Sequence, residues 1–166
     1  MICEPYWSPD ASPAERKICG LDGVAMRIVY LAGMELPPLL VEAFDGDEDL
    51  LAWVGTLRES WRRWFAHWIM EPKSEEVRQR RADQMAERLL LTMEAEQELP
   101  PMLAHRLRHT RYAMAGWERM VLNRRRTYLM VLFGMRSAEA RERQLARIVE
   151  ACVARGARAT NGGNGD

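Results

Sequence analysis

Apolar residues recur at helical spacing along most of the chain from residue 35 onward. One stripe falls at i, i+3, i+4, i+7 and i+8, which places it on one face of a helix: Trp61, Trp64, Phe65, Trp68 and Ile69. The stretch with the most strand-like content, residues 24–31, has no partner strand to pair with, so we also predict it as helix. The pattern therefore predicts an all-α fold.

The predicted helices occur twice. Shifting the sequence by 63 positions aligns residues 35–38 with 98–101 and residues 60–81 with 123–144, without a gap. A period of this length is typical of repeated helical units. We predict a helical bundle of two homologous four-helix repeats with pseudo-twofold symmetry. The predicted segments are an N-terminal extension 1–34, repeat one 35–97, repeat two 98–160 and a flexible tail 161–166.

Capping residues set the predicted helix bounds. In repeat one, Pro37 and Pro38 suit the first turn of a helix that continues through Phe44. Asp47 or one of its neighbours is expected to cap a second helix, from Glu48 to Leu57. Serine residues are expected to cap three later helices, and a glycine is expected to end the last one: Ser60, Ser74, Ser137 and Gly156.

The third helix of repeat two is apolar around its circumference between Tyr128 and Phe133. A helix of this kind is either buried on all sides or lies at an interface, so a homodimer through this helix stays open as an alternative. The apolar run is too short to span a membrane. The first residues show no basic region followed by an apolar segment, so no signal peptide is expected.

Composition and charge narrow the class of protein. The chain has 166 residues, 48% of them apolar, and a formal net charge of zero, which argues for a globular protein without general attraction to nucleic acid. Three cysteines, Cys3, Cys19 and Cys152, form no metal-binding pattern, so we expect reduced thiols in a cytoplasmic protein.

The zero net charge conceals an asymmetry between the two parts of the chain. Residues 1–100 contain 11 Lys and Arg against 19 Asp and Glu, whereas residues 101–166 contain 13 against 5. One explanation is attraction between the repeats, with Arg124-Arg125-Arg126 paired to acidic residues such as Asp45 to Asp49. The other is a basic face that binds nucleic acid or an acidic partner protein.

No group of residues names a reaction. His105 and His109 have the i, i+4 spacing of a metal site, but they lie off the Leu103 and Leu107 stripe and are expected to face solvent. Cys152 lies between apolar residues and is expected to be a buried thiol rather than a nucleophile. We therefore predict a protein without catalytic residues, bound metal or cofactor.

Six Trp and eleven Met residues are the remaining signal. Such side chains suit a pocket for a hydrophobic small molecule or peptide, although they equally suit a core filled by large side chains. The candidate ligand-binding residues are Trp53, Trp61, Trp64, Trp68, Met114, Trp117, Met120, Tyr128 and Met130.

The third and fourth helices of each repeat resemble the YdeI/OmpD-associated family, also called the bacteriocin-protection family. In repeat one the resemblance rests on Leu36-Pro37-Pro38 and on Arg62, Arg63, Trp68, Ile69, Lys73, Glu76, Arg78 and Arg81. In repeat two it rests on Arg125, Arg126, Tyr128, Leu132, Arg136, Glu139 and Arg141. The resemblance implies an all-helical module, a tie to tolerance of bacteriocins or cationic antimicrobial peptides, and no defined catalytic residues.

The sequence thus predicts a non-enzymatic binding protein that sequesters or protects against a hydrophobic antimicrobial molecule. The alternative is a nucleic-acid or partner-protein adaptor that uses the basic second repeat.

Overall fold

The computed structural model describes residues 36–161, and every regular element within this range is a helix. This confirms the predicted all-α fold. The predictions for residues 1–35 and 162–166, which include the helix over 24–31, lie outside the described residues. The helices are α1 Pro38–Glu42, α2 Glu48–Gly55, α3 Glu59–Met70, α4 Glu75–Gln97, α5 Pro101–His109, α6 Ala113–Glu118, α7 Leu122–Gly134 and α8 Ala138–Asn161.

Three of the predicted caps are present. The Asp47 carboxylate accepts a hydrogen bond from the Leu50 backbone N–H at 2.8 Å and opens α2. The hydroxyls of Ser74 and Ser137 accept from Val77 and Ala140, at 3.4 and 3.1 Å, and so begin the two long helices α4 and α8. Each side chain satisfies a backbone N–H that the helix itself leaves unpaired.

The predicted cap at Ser60 is wrong. Helix α3 begins at Glu59 after Arg58, which makes no side-chain capping hydrogen bond. The Arg62 guanidinium donates to the carbonyl of Gly55, the last residue of α2, at 2.9 Å. This contact joins the two helices across their short connection, and Ser60 lies within the first turn of α3.

The predicted stop at Gly156 is also wrong, because α8 continues through it to Asn161. The glycine serves a close approach instead. A Cβ atom at this position would lie 2.2 Å from the carbonyl oxygen of Tyr112. Tyr112 itself has a left-handed backbone conformation with φ of 67°, so the turn before α6 is held tightly against α8.

Two long helices organise the packing. Helix α4 packs against α1, α2, α3 and α7, and α8 packs against α5, α6 and α7. The apolar side chains buried around α4 are mainly those of Leu40, Val54, Phe65, Ile69, Met85 and Leu89. Those buried around α8 form one cluster that includes Leu103, Leu107, Trp117, Met120, Leu129, Ile148 and Cys152.

The 63-residue offset holds for several local contacts as well as for the sequence. The Arg62 contact with Gly55 recurs as a 2.7 Å hydrogen bond from Arg125 to the carbonyl of Glu118. Similarly, Arg78 donates to the Pro72 carbonyl, and Arg141 to that of Met135. Helices α1, α3 and α4 begin 63 residues before α5, α7 and α8. The tandem duplication and the pseudo-twofold axis nevertheless stay predictions.

A difference between the halves lies at the crossing of α6 and α8. A Cβ atom on Gly116 of α6 would lie 1.8 Å from the carbonyl oxygen of Cys152, so the two helices meet backbone to backbone. The position 63 residues earlier is Trp53, whose large side chain prevents the same approach in the first half. With glycine at this position, the second half has the closer helix pair, since α6 and α8 make the most extensive contact among the described helices.

Of the two alternatives for the apolar part of α7, burial on all sides is wrong, and a place at an interface stays a prediction. Leu129, Met130 and Leu132 are buried, but Val131 is exposed and Tyr128 and Phe133 are half-buried. The helix therefore has an apolar exposed edge, which borders the cleft described below. None of the described helices is both long and apolar enough to cross a membrane.

Candidate ligand-binding cleft

A cleft of about 460 Å³ lies between α3 and α7, with α4 beside it. Helix α3 contributes aromatic side chains, α7 contributes methionine and valine, and α4 contributes a single arginine. The lining residues are Ser60, Trp61, Trp64, Arg88, Met130, Val131, Gly134 and Met135. The volume and the largely apolar lining match the usual properties of sites for small organic molecules.

The tryptophans of α3 are partly exposed, although the sequence stripe predicts them in the core. Of the five residues of the stripe, only Phe65 and Ile69 are fully buried. Trp64 is 47% exposed, and Trp61 and Trp68 are half-buried. The physical reason is that α3 packs mainly on α4, and two large side chains per two turns already fill that contact. The remaining indoles are left on the cleft side and the outer side of the helix.

The indole rings of α3 hold one another in place. Trp61 and Trp64 meet edge to face with their centroids 6.4 Å apart, and Trp64 stacks on Trp68 at 6.2 Å. The Arg81 guanidinium lies 5.0 Å from the Trp68 ring and donates to the Trp68 carbonyl. Such contacts favour a fixed aromatic surface, and Trp64 presents apolar area to solvent at the mouth of the cleft.

Arg88 is the charged group at the cleft, and it was not predicted from the sequence. Its Nε atom is buried and has no hydrogen-bond partner among the described residues, and no described carboxylate pairs with its guanidinium. Burial and the nearby charge of Arg136 lower its pKa from the ordinary arginine value. A signal was present, because Arg88 borders the buried stripe of Met85 and Leu89 and has no acidic residue three or four positions away.

Gly134 makes room for that guanidinium. A Cβ atom on this residue would lie 2.8 Å from Cζ of Arg88, so any larger side chain would displace the charged group. On the other side, Thr92 bridges α4 and α7, since its hydroxyl donates to the Arg88 carbonyl at 2.7 Å and lies 3.1 Å from the Met130 sulfur. These contacts fix where α7 crosses α4.

A second cleft, of about 600 Å³, adjoins the first and shares Arg88, Gly134 and Met135 with it. Its other lining residues come from α4, α5, α7, the α7–α8 connection and α8, and include Leu91, Met102, Phe133, Arg136, Arg141 and Glu87. Arg88 therefore stands between the two clefts, and three of the four charged residues at the second one are arginines.

The nine predicted ligand-binding residues occupy three different environments. Trp61, Trp64 and Met130 line the cleft together. Trp68 lies one turn from the cleft against Trp64. The remaining five lie elsewhere: Trp117 and Met120 are buried in the core around α8, Met114 and Tyr128 pack against that core, and Trp53 lies beneath Arg126. A ligand-binding role stays a prediction for all nine.

The other candidate groups are placed as follows. His105 and His109 are exposed as predicted, and their rings stack with centroids 4.1 Å apart. No group of metal-ligating side chains is found among the described residues. Cys152 is fully buried, and burial raises the pKa of its thiol to about 11. Cys152 is thus a buried thiol, as predicted, and its burial favours the protonated form at neutral pH.

The basic triplet at the start of α7 is engaged within the protein. Arg126 is buried and pairs with Glu96 rather than with the predicted partners Asp45 to Asp49. Arg125 donates to the backbone carbonyls of Met120 and Glu118. The acidic partner does come from the first repeat, but from the end of α4, the helix against which α7 packs.

Residues 33–91 match the model of the bacteriocin-protection, YdeI or OmpD-associated family. The matched range covers α1, α2, α3 and most of α4, including Trp61, Trp64 and Arg88 of the cleft. The resemblance that the sequence suggested is therefore confirmed over this part of the chain. No curated protein and no solved structure matches the chain.

Proposed function

We propose that the protein is a non-enzymatic binding protein that holds a hydrophobic small molecule or peptide with antimicrobial activity in the α3–α7 cleft. It would act in the cytoplasm, by lowering the free concentration of its ligand. The family name supports the link to protection against bacteriocins.

The observation that carries the proposal is that Trp64 and Met130 line the same apolar cleft. The half-exposed indole offers a rigid flat surface, and the buried methionine adds a polarisable, adaptable side chain to the wall of the cleft. Burial of this apolar area by a ligand is favourable by about 25 cal/mol per Å² before the cost of association is subtracted.

The basic second half does not favour the nucleic-acid alternative. Of the triplet at the start of α7, Arg125 and Arg126 direct their guanidinium groups to protein acceptors, and Arg124 lies over the Tyr128 ring. Phosphate binding would need these groups free. A gel shift with duplex DNA that is strong at low salt would reopen that alternative.

Titration with N-phenyl-1-naphthylamine, a neutral fluorescent probe for apolar sites, tests the proposal. We expect saturable binding to the full chain, with quenching of protein fluorescence that is strongly reduced in Trp64→Ala. Met70→Ala is the matched control, since Met70 is an exposed apolar residue of the same helix outside the lining. Absence of saturable binding, or equal loss in both variants, would contradict the proposal.

A link to protection needs a test in cells. Cells that carry the protein are expected to tolerate a higher concentration of those hydrophobic antibiotics that displace the probe. Cells with Trp64→Ala should lose this tolerance at an equal protein level. Unchanged tolerance in the variant would separate protection from the cleft.

A further inference from the structure

The position of Arg88 between the two clefts is not explained by the fold. The buried Arg126 pairs with Glu96, whereas the half-exposed Arg88 pairs with no described carboxylate, and its buried Nε atom has no hydrogen-bond partner among the described residues. A buried donor without an acceptor lowers stability. An arginine held in this way beside a cleft is a candidate contact for a ligand.

The surroundings favour an anion over a neutral or cationic acceptor. Arg136 and Arg141 line the second cleft near Arg88, and Arg136 contributes a repulsive charge. Glu87 lines the second cleft and is the acidic residue among all the lining residues of the two clefts. It is exposed and forms no ion pair with Arg88 among the described contacts. The excess of positive charge therefore stands where the two clefts meet.

The apolar lining of the first cleft indicates the chemistry of the rest of the ligand. Trp61, Trp64 and Met130 line the first cleft together with Arg88, and they offer no charged group of their own. A molecule with one charged end and an apolar body would meet both parts of this lining at once.

We propose that the cleft binds an amphipathic anion, with its apolar body against Trp61, Trp64 and Met130 and a carboxylate on the guanidinium of Arg88. This inference rests on the proposed function and narrows its ligand to an acidic class. A guanidinium matches a carboxylate with two parallel hydrogen bonds, and such charge-assisted bonds are about twice as strong as neutral ones. The same site disfavours cationic amphiphiles.

Three ligands with the same twelve-carbon chain test the charge requirement: dodecanoate, dodecanol and dodecyltrimethylammonium. Each displaces N-phenyl-1-naphthylamine from the full chain at neutral pH, below the concentration at which micelles form. We expect dodecanoate to bind at least tenfold more tightly than dodecanol, and the cation to bind more weakly than dodecanol. The preference for dodecanoate should decline with added salt.

Arg88→Gln should weaken dodecanoate binding at least tenfold more than dodecanol binding, as expected when the contact with the charged head group is lost. Arg80→Gln is the matched control, because Arg80 is an exposed arginine of the same helix outside both clefts. Gly134→Ala gives a second variant in which Arg88 is retained but displaced, so the preference should fall there too.

The outcomes separate this inference from the proposed function. Equal affinity for dodecanoate and dodecanol overturns the anion requirement but leaves an apolar binding site. A preference that survives in both Arg88→Gln and Gly134→Ala overturns the role of Arg88. If neither the probe nor any of the three ligands binds, the proposed function fails as well.

Discussion

Arg126 of α7 and Glu96 of α4 form a two-point salt bridge between the halves of the described chain. Nε lies 2.5 Å from Oε1, Nη2 lies 3.2 Å from Oε2, and both side chains are almost completely buried. The guanidinium also stacks on Trp53, with Cζ 5.1 Å from the ring centroid. The acidic first part of the sequence and the basic second part are thus joined by an ion pair at this contact.

Removing the acid from this pair should destabilise the protein strongly. Glu96→Gln leaves the Arg126 charge buried without a counter-charge, and we expect the free energy of unfolding to fall by about 3 kcal/mol. Glu59→Gln is the control, since the Glu59–Arg63 pair is exposed and is worth about 0–1 kcal/mol. Urea unfolding measures both. Similar losses in the two variants would mean that Arg126 finds another acceptor.

Gly116→Ala should destabilise the fold through the backbone crossing of α6 and α8. The added methyl group would meet the Cys152 carbonyl oxygen at 1.8 Å, and neither backbone can move without disturbing the surrounding core. We expect a loss of about 3 kcal/mol or more in urea unfolding.

Gly134→Ala is the matched control for that prediction. Its methyl group meets the flexible end of Arg88 instead of backbone, and alanine favours the helix by about 1 kcal/mol over glycine. The stability of this variant should stay the same or rise. A comparable loss in both variants would show that the crossing at Gly116 is not special.

Cys152 should make the protein sensitive to alkaline pH. Burial raises the pKa of the thiol in the folded state from 9.0 to about 11. The stability that this shift represents is therefore complete below pH 9 and is lost as the pH rises toward 11. The thermal unfolding temperature of the Cys3→Ser, Cys19→Ser double variant should fall across this pH range. The fall should be steeper than in the same variant with Cys152→Ala.

The same double variant allows a test of thiol reactivity. At pH 8 a thiol reagent should label Cys152 far more slowly in the folded protein than in urea, because the thiolate is the reactive form and the residue is buried. Rapid labelling of the folded protein would contradict both the burial and the raised pKa.

Local signals in the sequence predicted the helices well where a side chain acts on its own helix. Asp47, Ser74 and Ser137 cap helices because a hydroxyl or carboxylate three residues before a free N–H satisfies it, whatever the tertiary structure. Ser60 is not a cap because α3 already begins at Glu59, which places Ser60 inside the first turn. Gly156 failed because a close approach to Tyr112, distant in sequence, required a glycine there.

The site was predictable only in part. The periodic stripe correctly indicates that Trp61, Trp64 and Phe65 share a face, but periodicity does not reveal how much of that face a neighbouring helix covers. For this reason Phe65 lies in the core, whereas Trp64 lies at the mouth of the cleft. Predicting the environment of Arg88 requires knowledge of how α4 and α7 cross, because its isolation from carboxylates depends on residues from several helices.

The most direct test is a ¹³C-methyl methionine spectrum of the full chain titrated with dodecanoate, with signals assigned by single Met→Leu variants. We expect saturable shifts of Met130 and Met135, which line the α3–α7 cleft, and unchanged signals from Met85 and Met120, which are buried in the cores around α4 and α8. Saturable shifts confined to other methionines, or no shift at any of them, would contradict binding in this cleft.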